Sequence, residues 1–431
     1  MDGPTGGDSP PIARLFQPRR LPQLPGEGGG VQVAVSEAER GARGTDLRLL
    51  LCAQILIVAG LVFIYSSSQV QALERFGDGF YFVRKQLMWA AFGVVLMLLL
   101  SALDYRKVSE PGTVSLALIV TVGLLLLVLL IGPEVKGAKR WIFIGPVSVQ
   151  PSELAKVAVV LYLAKYGEVR GERLREFREG LLPALLVVGA ICGLILKGRH
   201  LGNAAIIWAS SLLILFLAGA RLSHILGLFL LSVALMGVGI VVFKYQPQRI
   251  LAWLDPWRSP DWWGYHVLRQ RMAISSGGLL GQGLGGGLSK YLHLPEAFKE
   301  SIFSSLAEQV GLVGAGGVLF AFGYLVWCCF DVSRRAPDRL GSLLAGGAGT
   351  TLGLQALVNT GVQTGLLPPT GVPLPFMSYG GSCLLASCAL VGLALSVSRR
   401  AQPLSGGEGV AQGGHSRRRD RGASLPGAGR L

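Results

Sequence analysis

The sequence predicts an all-α integral membrane fold of about ten transmembrane helices, and three observations predict it. Of the 431 residues, 51% are hydrophobic and only 15% charged, with a mean hydropathy of +0.51. A soluble domain carries nearer a quarter charged residues. The apolar runs are also long enough: Val114–Ile131 holds no charge, and a span needs about 20 residues rising 1.5 Å each. Finally, no ten-residue alternation suggests a barrel, so helices must satisfy the backbone within lipid.

Taken in order, residues 1–46 are rich in Gly, Pro and Arg and lack the apolar run of a cleaved signal. They read as a disordered cytoplasmic tail. The polytopic membrane domain follows over 47–397, with spans expected at 47–67, 86–103, 114–132, 150–165, 180–197, 202–219, 223–243, 303–328, 341–365 and 374–397. Residues 398–431, with Arg417, Arg418, Arg419 and Arg421, read as a basic disordered tail.

Charge placement predicts the orientation. Short loops holding Arg106 and Lys107, then Lys165, Arg170, Arg173, Arg175 and Arg178, then Arg221, then Arg334, Arg335 and Arg339, fall on one side with both tails. By the positive-inside rule that side is cytoplasmic. The net charge of +15 is concentrated there and in the tails. A polybasic tail beside anionic lipid gains about 1 kcal/mol per residue, which outweighs a nucleic-acid reading. The connection 244–302 falls outside and is far longer than the usual helix connection. It carries Trp253, Trp257, Trp262 and Trp263, which suit the lipid interface. Cys52, Cys192, Cys328, Cys329, Cys383 and Cys388 all lie in apolar segments and read as small core residues, not as a disulfide or metal framework. No internal repeat supports an inverted-repeat transporter.

Three constellations carry candidate chemistry. The first is Lys139-Arg140-Trp141, followed by Gln150-Pro151-Ser152-Glu153-Leu154-Ala155-Lys156. Pro151 suits a first helical turn, Glu153 complements the helix dipole, and Glu153 and Lys156 share one face. That pair reads either as a structural ion pair or as part of a cationic site for an anionic headgroup; charges within a span are costly and usually functional. The second runs along the long loop through Arg269-Gln270, a glycine-rich stretch 277–286, and Glu296 to Glu300. Its formal GxGxxG match is weak because no strand precedes it, no Gly-Lys-Ser/Thr follows to make a P-loop, and the glycines read as tight turns. Glu296 also reads as an ordinary helix-start carboxylate. The third is Gly365-Leu366-Leu367-Pro368 through Ser378-Tyr379-Gly380-Gly381-Ser382, a proline-broken helix entry.

Together these segments resemble the FtsW/RodA family, the shape, elongation, division and sporulation proteins. The matching stretches, in family order, are GAKRWIFIGPVSVQPSELAK, LDPW with GYHVLRQ, GLLGQGLG, LPEAFKESIF with AEQVGLVG, and TGLLPPTGVPLPFMSYGGS. The LLPPTG form and long N-terminal tail look closer to the FtsW (division) branch. The resemblance implies an inner-membrane glycosyltransferase that polymerises lipid II, the undecaprenyl-pyrophosphate-linked disaccharide-pentapeptide. It implies Glu300 as general base and Lys139, Arg140, Trp141, Glu153, Lys156, Gln270, Glu296, Ser378 and Tyr379 as substrate-binding residues. It further implies a class B penicillin-binding protein as transpeptidase partner, alongside other divisome or elongasome membrane proteins. It leaves a divalent cation, Mg or Mn, open. Two departures stand out: Glu300 replaces an Asp in the family's HTDFIF-like segment, and His200 replaces an acidic residue in its PDxGT-like segment. The rival functions are a lipid II flippase and a non-catalytic scaffold.

Overall fold

A computed structural model describes residues 45–135, 137–145, 147–241, 247–258, 262–287 and 297–401. The expected tails lie almost wholly outside the described residues, and so does Glu296.

The described chain is dominated by helices: Leu47–Phe76 (α1), Tyr81–Ala102 (α2), Pro111–Ile131 (α3), Pro151–Arg170 (α4), Leu182–Lys197 (α5), Leu201–Leu217 (α6), Leu222–Val241 (α7), Pro247–Leu254 (α8), Trp262–Ser276 (α9), Ile302–Arg335 (α10), Arg339–Gln363 (α11) and Gly381–Ser398 (α12). Among the described residues, seven helical stretches are long and apolar enough to cross a membrane: α1, α2, α3, Phe177–Lys197 containing α5, α7, α10 and α12. Three more helices pack among them. Of these, α4 carries Glu153, Lys156, Lys165 and Glu168, α6 is apolar but has 17 residues, and α11 is rich in Gly and Thr.

Several helix starts follow from their sequences. Asp46 caps α1 by accepting the Arg48 and Leu49 amides, and Pro111 and Pro151 sit in the first turns of α3 and α4, where a missing N–H costs nothing. The core centres on α12, which is almost entirely buried against α1, α2, α4, α10 and α11. Its Gly, Ser, Ala and Cys side chains permit close helix approach, the usual basis of packing within lipid. All six cysteines are buried and unpaired.

Two faces of the bundle can be distinguished: the terminal face carries Asp46 and Ala401, and the loop face carries the described residues of the hairpins after α3 and the segment 364–380.

The structure departs from the sequence expectation in several places, including α1, which runs on to Phe76. Two short antiparallel hairpins follow α3, pairing Glu134–Val135 (β1) with Ala138–Lys139 (β2) and Ile142–Ile144 (β3) with Val147–Val149 (β4). Gly137 and Gly145 turn them at φ 74° and 59°, a region open to glycine. The last span begins at Gly381 rather than 374, because Pro373 and Pro375 oppose helix there. The eighth expected span, 303–328, extends as α10 to Arg335 and is broken at Gly311 (φ 67°, ψ −169°). Gly278 and Leu279 carbonyls accept the freed Leu312 and Val313 amides, while Gln282 and Gly283 amides donate to the Glu308 and Gln309 carbonyls. The glycine-rich loop thus zips onto a helix break, and its backbone satisfies groups that lipid would leave unmatched.

Candidate functional site

The site is built on a pedestal beneath Glu300. Asn359 of α11 donates from Nδ2 to the Glu300 carbonyl at 3.1 Å and to the Val372 carbonyl at 2.7 Å. Gln363, one turn on, donates to Asn359 Oδ1 at 2.6 Å and accepts the Ser304 amide at 2.7 Å. Tyr379 N donates to the Phe298 carbonyl at 2.9 Å, and Gln270 Nε2 donates to Ser301 Oγ at 2.8 Å. Three separate elements therefore hold residues 298–304. A Cβ on Gly371 would lie 3.1 Å from Glu300 Oε1, and Gly371 has φ 33°, so space and backbone both favour glycine beside the carboxylate. The Glu300 residue is half-buried.

A second cluster lies where β2 covers the loop-face ends of α3 and α5. Lys139 and Arg140 line a narrow cavity of about 10 Å³ with Ser152, His200 and the apolar Leu125, Val128 and Ile195. The Lys139 ammonium donates to the Leu129 carbonyl at 3.2 Å, and Arg140 donates to the Arg199 carbonyl. Arg199 itself has φ 58°, a conformation costly for a side chain with a Cβ.

The buried His200 joins the two clusters. Its Nδ1 lies 3.2 Å from both Ser152 Oγ and Gln150 Nε2, and the ring also hydrogen-bonds the Gly371 backbone. Burial, then the charges of Arg140 and Lys156, push its pKa well below the ordinary histidine value. The imidazole is therefore neutral at neutral pH. Behind it, Lys156 pairs with Glu153 at 2.8 Å and donates to Gln355 Oε1 at 2.5 Å, while Asn203 donates to Glu153 Oε1 at 2.7 Å.

The sequence-expected residues thus fall into distinct places. Glu300 and Gln270 meet on the pedestal, and Lys139 and Arg140 line the cationic pocket. Trp141 lies half-buried between the hairpins. Glu153 and Lys156 form a buried, mutually compensated pair, so ligand contact with Lys156 would require breaking it. Ser378 accepts the Leu374 amide at 2.8 Å, and the Tyr379 ring packs edge-on against Phe82 and Phe298 at 5.4 Å. Both brace the pedestal. Among the described residues, Gln270 Oε1, Thr370 Oγ1 and Asn203 Oδ1 are buried without hydrogen-bond partners, which leaves acceptors available to a hydroxyl-rich ligand.

The sequence reading missed Gln355, Asn359 and Gln363. They recur every fourth residue on one face of α11, and amide side chains at that spacing inside a span are the signal that could have found them. It also missed Glu308, a buried carboxylate beside the break in α10.

The sequence model of the family FTSW_RODA_SPOVE, described as Cell cycle protein, matches residues 46–403. A probable peptidoglycan glycosyltransferase FtsW of Geobacter sp. (strain M18) is 41% identical over 365 residues, covering 84% of this chain and 98% of that protein. The stage V sporulation protein E of Bacillus subtilis (strain 168) is 36% identical, covering 82% of this chain and 97% of its own. Among solved structures, a chain of a peptidoglycan synthase complex that coordinates polymerization and crosslinking superposes with a TM-score of 0.68 at 30% identity, covering 83% of this chain and 98% of that one. The crystal structure of the Thermus thermophilus rod shape determining protein RodA gives 0.62 at 28% identity, covering 84% and 99%.

Proposed function

Because the chain belongs to the FtsW/RodA/SpoVE family of cell cycle proteins, we propose that it polymerises lipid II at the loop face with Glu300 as general base. It is a multi-pass membrane protein and a peptidoglycan glycosyltransferase. The observation that supports the site is the pedestal: a half-buried glutamate whose backbone carbonyl is held by Asn359, with Gly371 beside its carboxylate and His200 between Gly371 and the Arg140 pocket.

The chemistry follows from those positions. Glu300 takes the proton of the acceptor sugar's 4-hydroxyl as its oxygen bonds the donor's anomeric carbon. The bond from that carbon to the diphosphate oxygen breaks, and the electron pair leaves on the diphosphate. General-base help of this kind typically contributes about 10²–10⁴-fold. Arg140 engages the departing phosphate oxygens as a fork and Lys139 as a point charge. The cavity admits about one water, so the diphosphate sits at its mouth. Neutral His200 adds no cation and hands its wall of Gln150 and Ser152 a fixed orientation. Glu153 and Lys156 support that wall from below. Among the described residues no cluster of three or more His, Cys, Asp or Glu side chains is placed to hold a metal ion, and the step above uses none.

On this reading the chain crosses the cytoplasmic membrane ten times with both termini inside, and a class B penicillin-binding protein crosslinks its product. The lysines and arginines gathered near the terminal face support that orientation. Native cysteines are all buried, so Ser276→Cys at the exposed end of α9 should react with an impermeant maleimide in intact cells; reaction only after permeabilisation reverses the orientation. The function itself is tested by incubating purified protein and its transpeptidase partner with lipid II. Glycan strands resolved on a gel are expected; translocation of lipid II across vesicles without any polymer would favour the flippase reading.

A further inference from the structure

Below the cationic pocket, α3 and α5 part to leave an apolar trough of about 500 Å³. Val122, Gly123 and Leu126 line one side, Val187, Ala190 and Ile191 the other, and no polar residue is among its lining. A Cβ on Gly123 would meet nothing within 4 Å, so the trough is open space and not a tight helix contact. Leu125 and Val128 of α3, Ile195 of α5 and Gly198 just after it lie nearer the loop face. Those four residues line the pocket that holds Lys139 and Arg140. Pocket and trough therefore follow the same pair of helices, cations at the loop-face end and hydrocarbon below.

Hydrocarbon alone selects no particular lipid, because the chains of any bilayer are equally apolar. The cations at the mouth supply the selection: they fit an anionic head whose hydrocarbon chain descends directly beneath it. Resting on the glycosyl-transfer reading above, we infer that the trough between α3 and α5 seats the polyprenyl chain of the diphosphate-linked sugar. The diphosphate then sits at Arg140 and Lys139, and the sugar faces the Glu300 pedestal. The chain's role is to register the anomeric carbon, since a headgroup held only by charge can slide along the loop face. Orientation of this kind is what sets the rate in a two-substrate reaction.

The test uses the full-length protein in vesicles, carrying Glu300→Gln so that nothing is turned over. Ala190 is replaced by photoreactive benzoylphenylalanine, and Leu230, on α7 away from the trough and 65% exposed, is replaced likewise as a control. The probe is a radiolabelled polyprenyl-diphosphate disaccharide. Position 190 should crosslink well above position 230, with suppression by unlabelled polyprenyl diphosphate but not by phosphatidylglycerol. Gly123→Leu, which fills the trough without a clash, should weaken the labelling roughly tenfold. Equal labelling at the two positions, or equal suppression by phosphatidylglycerol, would show an ordinary lipid-filled groove and overturn the assignment. Because no turnover is needed, labelling at 190 while the parent chain with Glu300 intact makes no glycan keeps the trough and loses the enzymatic reading. Glycan made by that parent chain with no labelling at 190 loses the trough alone.

Discussion

At the terminal face, Arg335 spans Asp46 and Asp331 at 2.7 and 2.8 Å, and Arg48 reaches the same two carboxylates at 2.9 and 2.8 Å. Asp338 accepts from Tyr105 Oη and Arg106 Nε at 2.9 Å, and Arg400 pairs with Asp104 at 2.9 Å. These contacts clasp α1, α10, α11 and α12 to the connection after α2 with charge matched by charge. The loop face is held differently. There amide side chains and backbone groups carry the pedestal, Arg199 and Phe376 sit at positive φ, and three buried acceptors have no described partner. A region held by matched ion pairs can hold helices together but has little to offer a ligand, even with the Ser109 hydroxyl buried there without a partner. A region with strained backbone and acceptors in reserve has the opposite character, and such features gather at functional sites.

That contrast can be broken by mutations at each face. Asn359→Ala should have the largest effect on turnover, because it frees the carbonyls of both Glu300 and Val372. A shift of about 1 Å in a catalytic group costs roughly 100-fold, so polymerisation should fall about that far while insertion in the membrane is retained. Arg140→Ala should come next, with a loss of roughly ten- to a hundredfold, since hydrogen bonds to charged groups are worth about 1.5–3 kcal/mol. Arg140→Lys should recover only part of it, because an ammonium lacks the fork. Rates equal to wild type in both Arg140 variants would remove it from the diphosphate site.

The smallest effect on turnover belongs to the terminal face. Arg335→Ala should leave the rate within about twofold at a permissive temperature yet lower stability by roughly 1–3 kcal/mol, read as a fall in the melting midpoint. The same clasp is pH-sensitive. Burial raises the Asp46 pKa, but hydrogen bonds from Arg48 and Arg335 outweigh it and hold the group below its ordinary 3.8. A carboxylate depressed in the folded state stabilises the fold above its unfolded pKa and loses that contribution as pH falls through the folded value. Acid unfolding should therefore steepen below pH 3.8 in the wild type, and less so in Asp46→Asn. A large loss of turnover in Arg335→Ala at full stability would erase the distinction between the faces.

Much of the bundle was legible because lipid allows few solutions. Long uncharged runs such as Val114–Ile131 had to be helices, and α3 occupies that stretch. The ends were less legible, since α1 continues to Phe76 on residues polar enough to read as loop. The hairpins of 134–149 were hidden because their strands are two or three residues long, too short for any alternation to register. At the site, Glu300 and Arg140 could be named from motif resemblance, but nothing local to either indicated that His200 and Gly371 would connect them. Those contacts bring together residues far apart in sequence, and only the packing of α4, α6 and the 364–380 segment creates them. Lys156 shows the converse: its charge was visible, but its compensation by Glu153 and Gln355 depended on α4 meeting α11.

The central claim is that the loop-face carboxylate removes the acceptor's proton, and Glu300→Gln tests it most directly. Glutamine keeps the size and hydrogen-bonding shape of the side chain but cannot accept the proton. With purified protein, its partner and lipid II, the rate of glycan formation should fall by about 10²–10⁴-fold, with binding of a polyprenyl-diphosphate probe unchanged. Glu300→Asp, measured alongside, should also be impaired, because the Gly371 backbone is fitted to the longer side chain. Glycan formation by Glu300→Gln at the wild-type rate would contradict the account and place the base elsewhere.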